Sequence, residues 1–304
     1  MTCPPTARRV PLLSAAICLS ALFAALPATA PADAGSAEAV SPWRDSLRSR
    51  VRLVAGLPDG QTLRAGVEID LQDGWKTYWR YPGDSGVPPH FDFSRSENVA
   101  GVTVLWPAPL RFTDGGGTSI GYKRNVIFPL RVTPREAGKP VTLRLALDYA
   151  VCEKLCVPET VRIDLPVSGD SAQDRTQDTR LKAAEALVPA KAAVGSAGPL
   201  AVRAVREVAG AKGPRLLVEI AAPPAARADV FAEGPTPDWA LPLPEPAAEP
   251  VSASVSASRP ADNIRRFAFD IDGVPAGAST RGAALTLTVV AGEHAIEVPA
   301  RLDR

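Results

Sequence analysis

The chain has 304 residues, 46% of them hydrophobic and 22% charged, with 34 basic side chains against 33 acidic ones. That length supports two domains of ordinary size, and a near-zero net charge without any basic run argues against a nucleic-acid partner. Beyond residue 34 no stretch is apolar for long enough to cross a membrane as a helix.

The N-terminus reads as a targeting segment rather than as part of the fold. Arg8 and Arg9 precede an Ala/Leu-rich apolar run from Val10 to Leu26, Pro27 breaks it, and small residues follow. This order predicts a secretory signal peptide over 1–34, cleaved after Ala34 in the Ala32-Asp33-Ala34 site, and hence an exported, periplasmic protein. An uncleaved N-terminal anchor is the alternative. Of the four cysteines, Cys3 and Cys18 lie in the leader, which leaves Cys152 and Cys156 to the mature chain together with His90, His294 and no methionine.

From about residue 50 the apolar period is two. Ala65, Val67, Ile69 and Leu71 alternate with Arg64, Glu68 and Asp70; the same alternation runs through Val141–Tyr149 and Val161–Val167, with further apolar runs at Val102–Trp106 and Val126–Val132. Turn signals at Pro58-Asp59-Gly60, Pro82-Gly83-Asp84 and Asp114–Gly117 punctuate them. The pattern predicts an antiparallel β-sandwich over 45–168 with one wet face per sheet. Asp178–Lys191 reads as a helix capped by Asp178, and 169–199 as a whole as a helical linker. Strand patterning resumes at Leu200–Val208, Leu216–Ile220, Phe267–Ile271, Leu285–Val289 and Ile296–Val298, so 200–304 is expected to form a second β-sandwich, with the proline-rich Pro235–Pro250 an extended surface loop. The fold class is thus all-β, two sandwiches joined by a short helical linker.

The chemistry concentrates in Cys152-Glu153-Lys154-Leu155-Cys156. Residues i and i+4 of a straight strand stand about 13 Å apart, so a bond between these cysteines requires residues 153–155 to turn. A ring this small constrains the unfolded chain little, which favours a bond that opens and closes over a structural staple. Lys154 is a candidate for stabilising a neighbouring thiolate. Two other readings stay open: an inert disulfide, and a Cu(I) or Zn(II) site on Cys152 and Cys156, although two ligands are fewer than a structural zinc site takes. No cofactor is expected. The aromatic-rich Asp73–Pro89 segment and the glycine-rich Phe112–Tyr122 segment read either as core aromatics with a hairpin loop or as parts of a site.

Taken in order, Asp73-Gly74-Trp75, Tyr78-Trp79, Pro82-Gly83-Asp84-Ser85-Gly86, Trp106-Pro107, Gly121-Tyr122, Phe128-Pro129-Leu130 and Tyr149-Ala150-x-Cys152…Cys156-x-Pro158 resemble the N-terminal periplasmic region of the DsbD family, nearest its suppressor-of-copper-sensitivity protein B (ScsB) branch. The resemblance implies immunoglobulin-like sandwiches and an exchange pair at one edge. In that family the pair receives electrons from a membrane electron-transfer protein of DsbD or CcdA type and reduces periplasmic disulfide proteins, with roles in cytochrome c biogenesis and copper tolerance. By the same resemblance Cys156 forms the mixed disulfide, Cys152 resolves it, Tyr78 stands beside the pair, and Asp84, Tyr122 and the Phe112–Tyr122 loop support or cap it. This sequence departs in having three residues between its cysteines where the typical DsbD spacing is five, and Gly115-Gly116-Gly117 where the capping loop carries an aromatic. Up to Arg304 it shows no membrane conduit or thioredoxin-like domain, so a free-standing carrier is expected.

Overall fold

The computed structural model describes Met1 and residues 39–83, 86–114, 117–167, 175–210, 213–247 and 263–302. Apart from Met1, the expected leader lies outside them, and no described helix is long and apolar enough to cross a membrane. Residues Ser36–Arg304 form one compact unit.

Eleven strands come first: β1 (Arg44–Asp45), β2 (Ser49–Asp59), β3 (Thr62–Leu71), β4 (Lys76–Gly83), β5 (His90–Asp92), β6 (Val99–Val104), β7 (Leu110–Asp114), β8 (Gly117–Lys123), β9 (Asn125–Pro134), β10 (Val141–Cys152) and β11 (Cys156–Val167). They build one sheet of order β1-β2-β3-β9-β6 and a second of order β11-β10-β4-β8-β7, with β5 also paired to β10. Alternation puts Val51, Leu53, Val67 and Ile69 of the first sheet against Leu143, Leu145, Leu147 and Ile163 of the second, all almost fully buried. Phe91, Trp106 and Tyr122 each meet Phe128 edge-on, with ring centroids 5.2 Å from it for all three. Such edge-to-face pairs are the geometry aromatic quadrupoles favour. This is the all-β sandwich the period-two pattern predicts, in the immunoglobulin-like form the resemblance implies.

After it come α1 (Arg175–Ala186) and the strands β12 (Ala190–Lys191), β13 (Ala201–Ala209), β14 (Pro214–Ala221), β15 (Ala228–Glu233), β16 (Glu245–Pro246), β17 (Ile264–Asp270), β18 (Ala284–Ala291) and β19 (His294–Arg301). These strands form two four-stranded sheets, β12-β19-β18-β15 and β13-β14-β17-β16, around a core that includes Val218, Ile220, Leu287, Val289 and Phe269.

The helix differs from the sequence expectation in place and role. It begins at Arg175 and ends at Ala186, so Asp178 sits inside the first turn rather than capping it. It also docks on the outer face of the first sheet. Gly56 and Gly66 leave a dimple there: a Cβ on either would stand 2.9 Å or 2.6 Å from a Leu181 methyl, and Leu181 fills the space fully buried. Arg64 donates to Asp178 at 2.7 Å and to Glu185 at 2.8 Å, and Glu68 accepts from Arg52 and Arg180. Arg64 and Glu68 alternate outward as the pattern predicts, yet both are buried, because the helix covers what would be the wet face.

That covered network predicts an acid limit on stability. Burial pushes the Glu68 and Asp178 carboxyls up, but hydrogen bonds outweigh it: Arg52, Asn125 and Arg180 on Glu68, and Lys182, the Leu57 amide and Arg64 on Asp178. The net result holds both below their ordinary range. A carboxyl depressed in the folded state stabilises fully above its unfolded pKa and loses that contribution as pH falls through the folded value. The urea midpoint is therefore expected to stay level from about pH 7 to pH 5 and to fall below about pH 4. Asp178→Asn should lower it at pH 7 and flatten the acid limb.

The proline-rich segment is corrected too. Within its described part, Trp239, Leu241 and Leu243 are buried, and Glu245–Pro246 pairs with β17. Prolines hold the backbone extended, so alternate residues face one way and pack. Gly234 makes room for Trp239, since a Cβ there would lie 2.2 Å from the tryptophan side chain.

Candidate functional site

β10 and β11 pair without interruption from Val141↔Val167 to Cys152↔Cys156, and Glu153-Lys154-Leu155 close the hairpin. Inward Tyr149 and Val151 force Cys152 to the outer face, and pairing puts Cys156 beside it with the Cα atoms 4.2 Å apart. The two sulfurs form a disulfide across the last rung. The turn that bonding requires is thus the tip of the longest hairpin in the first sandwich.

The two sulfurs are not equivalent. Cys152 is 2% exposed, packed with Tyr78 and Ala150, whereas Cys156 is exposed. Tyr78 arrives from β4, whose alternation sends Trp79 into the core and Tyr78 to the outer face. Its hydroxyl stands 2.9 Å from Cys152 Sγ and 3.1 Å from Cys156 Sγ. A disulfide sulfur has no proton to give, so the phenol donates. Three neighbours fix this ring. Thr77 pairs with Val151 and donates through Oγ1 to the Ala150 carbonyl at 2.9 Å. Gly121 pairs with Tyr78, and a Cβ on it would fall 1.9 Å from the Thr77 carbonyl oxygen. Gly86, at φ 145°, lies so close that its Cβ would come within 2.4 Å of the Tyr78 ring. Gly121 and Gly86 are therefore spacers that let β8 and the segment after β4 close on Thr77 and Tyr78 beside the disulfide.

Lys76 was missed in the sequence. It pairs with Cys152 across β4 and β10, so its side chain leaves the same outer face as the sulfurs; it is buried and its Nζ donates to Ser119 Oγ at 2.9 Å. A cation held there favours negative charge on that face. Its signal was position two before Tyr78, the same-face spacing of a strand, usable only once β4 is known to lie beside β10. Lys154, the candidate from sequence, is exposed on the hairpin tip.

Tyr122 belongs to the interior. Its hydroxyl donates to the Pro107 carbonyl at 2.9 Å, its ring meets Phe128, and burial pushes its phenol well above the usual range. The Phe112–Tyr122 segment lies in the β7–β8 hairpin, with Asp114 opposite Gly117; Gly115 and Gly116 lie outside the described residues. Phe112 on that hairpin sits 5.8 Å from Lys76 Nζ and 4.7 Å from Lys123 Nζ. Asp84 lies outside the described residues. Among the described residues no cluster of three or more His, Cys, Asp or Glu side chains could hold a metal.

The same β4 reaches the second sandwich. Arg80 makes two hydrogen bonds of 2.7 Å to Glu233 and one of 2.9 Å to Glu297, Tyr81 donates to the Leu241 carbonyl, and the Trp79 and Phe231 rings lie 5.8 Å apart. On β7, Arg111 bonds Asp229, Glu245 and the Pro244 carbonyl.

Residues 48–168 match the family described as thiol:disulfide interchange protein DsbD, N-terminal. The fold resembles the crystal structure of the N-terminal periplasmic domain of ScsB from Proteus mirabilis, with a TM-score of 0.66 and 20% identity over 88% of this chain and 99% of that one. Two weaker structural matches are the GAE domain of yeast GGA1 (TM-score 0.24, 14% identity, 41% of this chain and 96% of that one) and a conserved domain protein from Bacillus anthracis (0.21, 8%, 82% and 75%). No curated protein matches.

Proposed function

We propose, from the premise that residues 48–168 are a DsbD-type N-terminal domain, that the chain is a periplasmic thiol–disulfide carrier working through Cys152 and Cys156. The observation that carries this reading is the asymmetric pair: an exposed Cys156 bonded to a covered Cys152, with one phenol in reach of both sulfurs. Exchange needs one sulfur open to in-line attack and a second that leaves or returns as thiolate.

In the reducing direction Cys156 thiolate attacks one sulfur of a client disulfide. That S–S bond breaks, a Cys156–client bond forms, and the client's other sulfur takes the electron pair. Cys152 thiolate then attacks Cys156 Sγ, the bond from Cys156 to the client breaks, the client sulfur that was attacked first leaves as thiolate, and the Cys152–Cys156 bond re-forms. Two electrons pass from dithiol to client. Burial disfavours a Cys152 thiolate, and the Tyr78 hydroxyl and Lys76 ammonium offset that cost by donation and charge. A membrane electron-transfer protein of DsbD or CcdA type would return the pair to the dithiol, and exported disulfide proteins would be the clients. We read the sandwiches over 45–168 and 200–304 as two domains joined by 169–199.

The reduction potential of the pair tests the reading. Equilibrated against glutathione and dithiothreitol buffers, it is expected between about −180 and −270 mV, the range of exchange proteins. A value below about −300 mV would make the bond a structural staple and end the carrier reading.

A further inference from the structure

The most exposed large hydrophobic side chain of the described residues, Met1 aside, is Leu155, at 80%. It adjoins Cys156 on the tip of the β10–β11 hairpin. A second, Val87, is 57% exposed. It follows Gly86, where a Cβ would come within 2.4 Å of the Tyr78 ring, whose hydroxyl in turn reaches both sulfurs. Two apolar side chains are thus left in water, one beside Cys156 in sequence on the hairpin tip and one following the glycine packed on the Tyr78 ring. Single exposed hydrophobes are ordinary on a protein surface, but Leu155 adjoins the sulfur a partner has to reach, and Val87 follows the glycine against the tyrosine that contacts that sulfur. A sulfur–sulfur bond to Cys156 brings the partner chain within contact distance of the residue before it, Leu155.

We infer that Leu155 and Val87 form a docking collar that selects partners whose reactive cysteine is itself flanked by apolar side chains. The inference deepens the carrier reading and rests on it. During attack Cys156 Sγ bonds to the partner sulfur while Leu155 and Val87 lose water against the partner's flanking residues. Burial there stabilises the mixed disulfide and the transition state leading to it, whereas a partner with charged flanks would have to desolvate them against leucine. The collar is separate from the chemistry: Tyr78 and the sulfurs act on any disulfide, and Leu155 chooses among them.

The test uses the reduced full chain and three oxidants. One is oxidised glutathione. The others are two peptides of equal length, each with one cysteine in mixed disulfide with glutathione, flanked in one by leucine and valine and in the other by serine and aspartate. The native protein is expected to react with the apolar peptide about five- to tenfold faster than with the polar one, the factor that partial burial of one leucine supplies. Leu155→Ser should bring that ratio to near one and leave the glutathione rate unchanged; because the side chain projects into water, the fold loses nothing. Val87→Ser should lower the ratio by a smaller factor. Equal peptide rates in the native protein, or a preference that survives Leu155→Ser, would overturn the collar while leaving the carrier intact. No reaction with oxidised glutathione at all would overturn both.

Discussion

Replacing Cys156 with serine is expected to abolish exchange, whereas Cys152→Ser should leave a protein that captures its partner and cannot let go. The difference follows from exposure. In Cys152→Ser the exposed Cys156 sulfur still attacks a disulfide, but no second sulfur resolves the product, so a stable mixed disulfide with glutathione or a client accumulates and is visible as added mass under non-reducing conditions. In Cys156→Ser the remaining sulfur lies beneath Tyr78 beside Ala150 and is 2% exposed. Its alkylation by iodoacetamide is expected to be at least about tenfold slower than that of Cys156 in the reciprocal variant, and no adduct should form. Both variants lose the disulfide, and the ring it closes is small, so both should stay folded. Capture by Cys156→Ser, with none by Cys152→Ser, would reverse the two roles and show that exposure in the oxidised state does not decide which sulfur attacks.

What the sequence makes legible here is what depends on neighbours in the chain. The spacing of Cys152 and Cys156 says that a bond between them needs residues 153–155 to turn, and they do, with the two cysteines opposite each other on the last rung. What it hides depends on register between distant strands. Nothing near Lys76 says that it will lie across from Cys152, because that pairing is set by the meeting of β4 and β10 some 70 residues apart. Gly56 and Gly66 look like weak points in β-strands until Leu181 is seen to fill the space above them. Pro235–Pro250 misleads in the opposite way. Its proline count suggests a surface loop, yet Trp239, Leu241 and Leu243 keep the strand period and are buried. The helix was legible as a helix but not as a cover, since its docking depends on Arg64 and Glu68 receiving partners from more than a hundred residues away.

The part played by the second sandwich turns on β4, which carries Tyr78 to the sulfurs and, two residues later, Arg80 to Glu233 and Glu297. The side chains of these glutamates are only 17% and 14% exposed, and Arg80 is 25% exposed. Arg80→Met keeps most of the aliphatic bulk and removes the guanidinium. It leaves two largely covered carboxylates, with Lys191 as a remaining cation on Glu297. Breaking a buried pair by removing one partner costs about 3–5 kcal/mol, and partial exposure lowers that here to about 2–3 kcal/mol. The loss should appear as a lower urea midpoint and should shrink when Glu233→Gln is added, since that relieves one stranded charge. A second readout separates a staple from a buttress. If the clamp also holds β4 in place under the disulfide, Arg80→Met should speed alkylation of Cys152 in the reduced protein under conditions where the fold is intact, because Tyr78 then covers the sulfur less of the time. A stability loss below about 1 kcal/mol would place the clamp among ordinary surface ion pairs. A full loss with unchanged Cys152 reactivity would mean that the second sandwich is fastened to β4 without governing the chemistry at its other end.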